Sequence, residues 1–231
     1  MQFVSCHNGR IFTTTAQWQC NGAAPRRTFK TGLSAIDDLL PGQAFVRGAV
    51  HELLSDPRHG LPLSFALLLA RANSGAIVWC DPQETLYPPA VAAAGVPLEK
   101  LFLLHPKNQA DQSWAIAECM RCKGVGVTIA RVAKLSRIEA RRLQLTAERG
   151  GGIGVLLRPL DRNASTYAAA TRWLVSPVPG LRTVQKWKIQ LIHAHGGRVG
   201  QTVILEHYHE TNTVRAAEQL VDRQSAATEV A

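Results

Sequence analysis

Three pairs of side chains in the sequence have the spacing of a metal half-site. They are Cys119 with Cys122, His193 with His195, and His207 with His209. Structural zinc sites usually combine two such pairs at short range along the chain, and the two cysteines have no such companion. Cys119 and Cys122 are three positions apart on a predicted helix, where a free Cys commonly serves as a small apolar residue. The histidines are typical of partly exposed strand positions, where i and i+2 share a face. We therefore predict no metal at these residues.

The segment Ser55–Pro62 occupies the place of a phosphate-binding loop but lacks its chemistry. It joins an apolar strand to an apolar helix, and a second strand follows at βαβ spacing. A working loop needs backbone N–H groups around the phosphates, a Lys for their charge and a Ser or Thr for Mg²⁺. Pro57 and Pro62 remove two N–H groups, and Leu63 and Ser64 follow where the Lys and the hydroxyl should be. We predict no nucleotide cofactor.

Apolar runs that alternate with helix-like runs predict an α/β core. Predicted strands cover residues 49–54, 76–80, 101–104, 125–130 and 153–157, and predicted helices cover 63–72, 89–94, 109–123 and 136–149. Continuous Val/Ile/Leu runs indicate strands buried on both faces, and alternation with helices makes them parallel. After Pro159 alternating strands such as Lys186–Leu191 predict an antiparallel C-terminal extension, with Gly196 and Gly197 in a hairpin turn.

The length of 231 residues, 46% of them hydrophobic, predicts one domain with extensions. We predict a poorly defined segment over residues 1–27, a domain over 28–210 and a disordered tail over 211–231, where apolar residues are few. The most apolar stretch, residues 61–70, is too short to span a bilayer. The N-terminus has no signal-like apolar region, so we expect a cytoplasmic protein without membrane contact.

The apolar pattern also predicts which side chains form the core. Leu63, Leu67 and Leu68 are expected to pack the first long helix on the sheet. Trp79, Trp114, Trp173 and Trp187 each lie within an apolar pattern, so we expect their rings to be buried. Base stacking remains open for any of these rings that is exposed.

Positive charge is concentrated in the second half of the chain. The net charge is +9, and residues 121–198 hold 15 Lys/Arg against 3 Asp/Glu. Such a field attracts polyanions, above all nucleic acid, although a solvated basic surface is the alternative. Ser136 and Glu139 fit a capping box, a local structural role. The candidate residues for DNA or partner binding are Arg137, Arg141, Arg142, Arg149, Arg158, Arg162, Arg172, Lys186 and Lys188.

The order of several motifs resembles a known family. The run "KTGLSAIDDLLPGQAFVRGAVHELL" resembles the entry of RecA-like recombinase cores. The runs "VWCDPQETLYPPAVAAAGV", "LFLLHP", "RRLQLTAERGGGIGVLLRP" and "TRWLVSPVPG" are similar to the ImuA family of RecA/SulA-like accessory proteins. The resemblance covers about residues 28–208 and rests on order and spacing. It implies a RecA-like (P-loop NTPase-like) fold, with a mostly parallel sheet flanked by helices and antiparallel strands at its C-terminal side.

Measured against the catalytic RecA pattern, two carboxylates are missing. Ala130 ends a predicted strand where an Asp should orient metal and water, and Gln83 stands where a water-activating Glu is expected. Ala and Gln cannot supply a metal ligand and a general base. Glu84 is one residue away from Gln83, which leaves a divergent but active ATPase as an alternative. The favoured interpretation is a protein without catalytic activity.

The resemblance implies a non-catalytic adaptor in damage-induced translesion DNA synthesis and mutagenesis, within the SOS response. The implied partners are an ImuB-like polymerase subunit, a DnaE-type error-prone polymerase and RecA, with DNA as an additional contact. An inhibitor of cell division resembling SulA is the alternative from a different functional class. Chain length favours the adaptor, because SulA-like chains are shorter and lack the antiparallel extension.

Overall fold

The computed structural model describes residues 5–7, 10–12, 17–18, 28–160, 168–180, 183–196 and 199–217. Near the N-terminus, β1 (Ser5–His7), β2 (Arg10–Phe12) and β3 (Gln17–Trp18) form a small antiparallel sheet. Then β4 (Thr28–Phe29) pairs with β5 (Phe45–Val46) around a short helix, α1 (Ser34–Asp37). The backbone N–H and the hydroxyl of Thr31 both donate to the Asp37 carboxylate, at 2.9 and 3.0 Å. These bonds hold α1 against the entry to the core.

The parallel part of the main sheet contains five strands separated by helices, as the sequence predicts. The strands are β6 (Ala49–Ser55), β7 (Ala76–Cys80), β8 (Leu101–Leu104), β9 (Val125–Arg131) and β10 (Ile153–Pro159). The helices between them are α2 (Leu63–Arg71), α3 (Pro88–Ala93), α4 (Gln109–Arg121) and α5 (Arg137–Gly150). In the spatial order β6-β10-β9-β7-β8, β6 is adjacent to β10, so the loop after β6 lies beside the end of β10.

The antiparallel extension continues the same sheet beyond β6. It consists of β11 (Thr171–Val178), β12 (Val184–Ala194), β13 (Thr202–Tyr208) and β14 (Thr213–Ala216). The first of these strands pairs parallel with β6, and each later pair is antiparallel. The predicted hairpin is therefore present as β12 and β13. The predicted disordered tail is wrong at its start, because β14 lies within it and pairs with β13; the predicted tail beyond residue 217 lies outside the described residues.

The two faces of the sheet carry different helices and form separate cores. On one face, Phe65 and Leu69 of α2 pack with Phe45, Leu53 and Trp173. On the other, side chains of α4 and α5 pack on the parallel strands; they include Ile116, Met120, Leu143 and Ala147. The loops between these strands and helices lie at the two ends of the sheet's strands. No helix among the described residues is long and apolar enough to cross a membrane.

Two predictions of core packing are wrong in part. Helix α2 buries Phe65, Leu68 and Leu69, whereas Leu63 is 39% exposed and Leu67 is half-buried. Three of the four predicted tryptophans are buried: Trp79, Trp173 and Trp187. Trp114 is instead 66% exposed, because Ile116, Ala117 and Met120 provide the buried face of α4.

Candidate functional site

The loop at the place of a phosphate site is closed by its own side chains. The Ser55 hydroxyl donates to the carbonyl oxygen of Gly60 at 2.6 Å. The Asp56 carboxylate accepts from the Arg58 backbone N–H at 2.9 Å and forms an ion pair with the Arg58 guanidinium at 2.6 Å. These hydrogen bonds hold the pKa of Asp56 well below its usual range. Pro62 then precedes α2 as its N-cap residue. The Asp56 carboxylate and the two prolines are therefore unfavourable to an anion in this loop, and the Arg58 guanidinium is paired with Asp56.

The side chains near the ends of β7 and β9 are packed in the core or bonded to neighbouring groups. Ala130 is fully buried near the end of β9, among apolar side chains. At the end of β7, the Asp81 carboxylate accepts from the Leu86 backbone N–H at 2.7 Å, which ties it to the following loop. Gln83 accepts a hydrogen bond from the Arg131 guanidinium. These contacts give the polar groups at this edge local structural partners.

The cysteines that resemble a half-site belong to an apolar cluster. Cys119 lies in α4 and Cys122 follows the helix as its C-cap, and both contact the region of Val78 and Phe102. Burial, followed by the neighbouring Cys80, raises the pKa of the Cys119 thiol to about 12. A thiol that stays protonated is a poor metal ligand and nucleophile. Within the described ranges, no group of His, Cys, Asp and Glu side chains is arranged to hold a metal ion.

Two of the arginines predicted for DNA or partner binding are buried instead. Arg158 and Arg172 flank Glu52 on neighbouring strands and reach the same carboxylate. Nη1 of Arg158 donates to Oε1 of Glu52, and Nε of Arg172 donates to Oε2, both at 2.9 Å. All three side chains are almost fully inaccessible to solvent. The assignment of Arg158 and Arg172 to a binding surface is therefore wrong, because both guanidinium groups are buried and pair with the Glu52 carboxylate.

Sequence reasoning missed this buried ion cluster, although one signal was available. Glu52 stands in the mostly apolar stretch of β6, which was predicted to be buried on both faces. A buried carboxylate needs a positive partner, since isolated charges are strongly disfavoured away from water. An Arg in each of two later strands could have been assigned to it. What the sequence could not give was the order of strands that brings them together.

The remaining arginines form a surface on α5. The predicted capping box is present: the Ser136 hydroxyl accepts from the Glu139 backbone N–H, and the Glu139 carboxylate accepts from that of Ser136. Gly151 ends the helix with φ of 78°, a conformation that favours glycine. Four arginines are exposed along the helix: Arg137, Arg141, Arg142 and Arg149. None of these four has an ion-pair partner in the part of the chain that the structure describes.

Exposed apolar side chains accompany these arginines, which the sequence analysis did not predict. Ile138 is 83% exposed, and Leu145 follows seven residues later on the same face of α5, opposite the buried Leu143. Helix α4, which packs beside α5, carries a further exposed apolar side chain, Trp114. We call Trp114, Ile138, Leu145 and the four arginines the α4/α5 surface. Large apolar groups surrounded by arginine are typical of protein interfaces.

A cleft of about 520 Å³ opens beside this surface, at the carboxyl ends of β7, β8 and β9. Open α/β sheets bind ligands at this edge. The charged residues that line the cleft are Lys107, Lys134, Glu139 and Arg142. The first turns of α4 and α5 are already capped, by Asn108 and by Ser136. Lys107 and Lys134 of the cleft thus add positive charge next to the α4/α5 surface.

The predicted lysines lie on the same side of the sheet as α5 but not beside it. Trp187 on β12 faces the α2 side, so Lys186 and Lys188 face the opposite side. Helix α5 packs on β6 and β10, and β11 separates β6 from β12. Lys188 is exposed, whereas Lys186 is half-buried and pairs with Glu206 at 2.6 Å. Arg162, the remaining predicted residue, lies outside the described residues.

Comparisons with known proteins give the same relationships as the motifs. No family model matches the chain. Protein ImuA from two strains of Caulobacter vibrioides is 28% identical over 232 residues, which is 89% of this chain and 95% of ImuA. The cell division inhibitor SulA of Photorhabdus laumondii subsp. laumondii is 25% identical over 96 residues, which is 42% of this chain and 54% of SulA.

The fold has a counterpart among solved structures. The RadB recombinase superimposes with a TM-score of 0.66, covering 82% of this chain and all of RadB, at 12% sequence identity. Identity this low informs on the fold alone, and the fold agrees with the predicted RecA-like architecture. The similarity to ImuA that the sequence motifs indicated is confirmed by the match to ImuA over 89% of the chain. This chain is therefore similar to ImuA over most of its length, and its fold is RecA-like.

Proposed function

We propose that this protein is a non-catalytic accessory protein of damage-induced translesion DNA synthesis, acting as an adaptor between other proteins. The observation that carries the proposal is the loop Ser55–Pro62, where side chains of a RecA-like fold bond to their own loop. The similarity to ImuA over 89% of the chain supports the biological setting. A recombinase-like core without phosphate-binding groups can still act through the surfaces that it presents.

The α4/α5 surface is the contact region in this proposal. Its apolar side chains supply anchors and its arginines supply charge, a combination enriched where binding energy is concentrated. The partners are an ImuB-like polymerase subunit, a DnaE-type error-prone polymerase and RecA, with DNA as an additional contact. Contacts of this kind are salt-sensitive, because exposed charges are screened by ions.

Titration with ATP and Mg²⁺ tests the absence of nucleotide chemistry. We expect no heat of binding by calorimetry and no release of phosphate, since the backbone donors and the Lys of a phosphate loop are missing. Glu84, exposed after β7, is the carboxylate that an active enzyme would use. Micromolar binding of ATP, or hydrolysis that Glu84→Gln abolishes, would contradict the proposal.

A second candidate function is inhibition of cell division, favoured by the match to SulA over 42% of this chain. The two functions differ in phenotype. Loss of damage-induced mutations in a deletion strain supports the accessory role. Unchanged mutagenesis in that strain, together with filamentous cells when the protein is overproduced, supports the division inhibitor instead.

A further inference from the structure

An apolar groove of about 390 Å³ lies on the opposite side of the sheet from the α4/α5 surface. Helices α2 and α3 form one wall, and β12, β13 and β14 form the other. Its principal apolar residues are Leu63, Leu67, Leu68, Val91, Trp187 and Val214. Tyr87, which also lines the groove, is 67% exposed. Nothing in the sequence patterns predicts this site, because it joins elements that are far apart along the chain.

In the described part of the chain, the groove is lined by basic residues but by no acidic ones. Among the described residues that line it, Arg71 carries the full charge, His207 and His209 add imidazoles, and none is Asp or Glu. No carboxylate of the described residues lies within ion-pair distance of Arg71. Nε2 of His207 donates to Oδ1 of Asn212 at 3.1 Å, which fixes this imidazole on the groove wall.

We propose that this groove binds a segment of a partner protein that carries large apolar side chains next to acidic residues. The apolar walls accommodate the large side chains, and Arg71 pairs with a carboxylate of the segment. The volume is near the lower end of the range for ligand sites, so it suits the anchor residues of a peptide. The site is separate from the α4/α5 surface, so one partner can occupy each.

A second, smaller cavity extends the groove toward the loop Ser55–Pro62. It has a volume of about 210 Å³ and shares Leu63, Ser64, Gln185 and Trp187 with the groove. Val175 and Pro177 of β11 also line it, together with residues of the loop Ser55–Pro62, and its described lining contains no Asp or Glu. An extended segment can therefore continue from α3 across the start of α2 without meeting a repelling carboxylate.

Synthetic peptides test the proposal with the full-length protein. The probe is the fluorescein-labelled peptide Gly-Asp-Glu-Leu-Phe-Asp-Gly, compared with one that has Lys at its three acidic positions and one that has Ala for Leu and Phe. Polarisation measures affinity, and the NMR signal of the Trp187 indole reports occupancy of the groove. We expect the acidic peptide to bind at least about ten-fold more tightly than either control, about the effect of one anchor residue.

Substitutions in the groove locate the binding. Arg71→Glu reverses the charge of the groove. Ala90 is exposed and lines the groove, so Ala90→Trp fills part of the space inside it. Each substitution should weaken binding of the acidic peptide by about ten-fold or more. The matched controls are Lys30→Glu and Ala92→Trp, two exposed positions that do not line the groove. They should leave the affinity unchanged.

Several results would overturn the proposal. They are equal binding of the acidic and basic peptides, unchanged affinity in both groove variants, or no shift of the Trp187 signal. A shift produced by ATP alone would assign the groove to a nucleotide. A dimer that Ala90→Trp dissociates would assign it to a second copy of the chain. Loss of peptide binding would leave the translesion role intact, since that role is tested by mutagenesis in cells.

Discussion

The centre of the sheet contains three buried charged side chains, in which one carboxylate is shared by two guanidinium groups. Glu52 receives one hydrogen bond from each of Arg158 and Arg172, at 2.9 Å. Burying a charge is unfavourable unless a partner of opposite sign and hydrogen bonds accompany it. Because the three residues come from β6, β10 and β11, the cluster joins the parallel sheet to the antiparallel extension. It also removes two arginines from the basic surface that composition suggests.

Replacing Glu52 by Gln should be strongly destabilising. The substitution keeps the size of the side chain but takes the negative charge away from two buried guanidinium groups. We expect the free energy of unfolding in urea to fall by about 3–5 kcal/mol, the usual effect of breaking a buried ion pair. Glu206→Gln at the more accessible pair with Lys186 is the control and should change stability less. Equal effects of the two substitutions would contradict the account of the buried cluster.

A buried histidine provides a second test among individual residues. The Trp173 indole N–H and the His51 ring nitrogen Nδ1 both lie 2.8 Å from the Thr171 hydroxyl oxygen. Nε2 of His51 lies 2.9 Å from the carbonyl oxygen of Val46, which can only accept, so Nε2 carries the hydrogen. Thr171 therefore donates to Nδ1, and this network holds the imidazole in its neutral form.

Stability should consequently fall as the pH drops from about 6.5 to about 4. Burial lowers the pKa of His51 from 6.5 to about 4, so between these values the unfolded chain binds more protons than the folded one. The full loss from this residue is about 3 kcal/mol. Urea unfolding at several pH values should show a shallower pH dependence for His51→Gln than for the wild type. Parallel pH profiles of the two proteins would exclude this contribution.

Helix α2 shows where a sequence pattern determines an element but not its orientation. The apolar run predicts the helix and its length to within one residue, yet nearly every position in it is apolar. Such a helix has no polar face to indicate which residues turn outward. Packing against Phe45 and Trp173 selects Phe65 and Leu69 for the core and leaves Leu63 at the groove.

Two alanine substitutions on this helix should differ widely in their effects. Leu69→Ala removes a fully buried side chain, and we expect a loss of about 2–5 kcal/mol in unfolding free energy. Leu63→Ala should cost less than about 1 kcal/mol, because the side chain is partly exposed. Chemical denaturation of both variants measures the difference. A Leu63 variant as unstable as the Leu69 variant would place the wrong face of the helix against the sheet.

The arginines of α5 predict a DNA interaction of a particular kind. If they contact phosphates, binding should be weak, independent of sequence and reduced as salt increases. Reversing Arg141 and Arg142 to Glu should weaken binding and lower the slope of log Kd against log salt by about 2. The control is a double reversal of Lys30 and Lys100, which changes net charge equally. Affinity that does not respond to salt would refute this electrostatic contact.

Local patterns predict most elements of this fold, whereas long-range assembly determines its functional features. The parallel strands, their helices and the capping box of α5 follow from apolar runs and local spacing. The strand order is not encoded locally, and it is what pairs Glu52 with Arg158 and Arg172. The same applies to the groove between α2, α3 and the last strands. Trp114 was mispredicted because three other residues of α4 already provide its buried face.

In the whole molecule, the loop Ser55–Pro62 is separate from the α4/α5 surface, and the two surfaces that we propose as contact regions lie apart from each other. The α4/α5 surface lies on one side of the sheet and the apolar groove on the other. An adaptor requires surfaces that can be occupied at the same time, and opposite sides of a sheet satisfy this requirement. In this account the protein needs the α5 arginines but not the carboxylate of Glu84.

Damage-induced mutation frequency in living cells tests this central claim most directly. A deletion strain is complemented with the wild type, the Arg141→Glu/Arg142→Glu double variant, Glu84→Gln, or the Lys30→Glu/Lys100→Glu control, with equal protein levels confirmed. We predict that the α5 variant gives the mutation frequency of the deletion strain, and that Glu84→Gln and the lysine control restore the wild-type frequency. Normal mutagenesis with the α5 variant, combined with its loss in Glu84→Gln, would contradict the account.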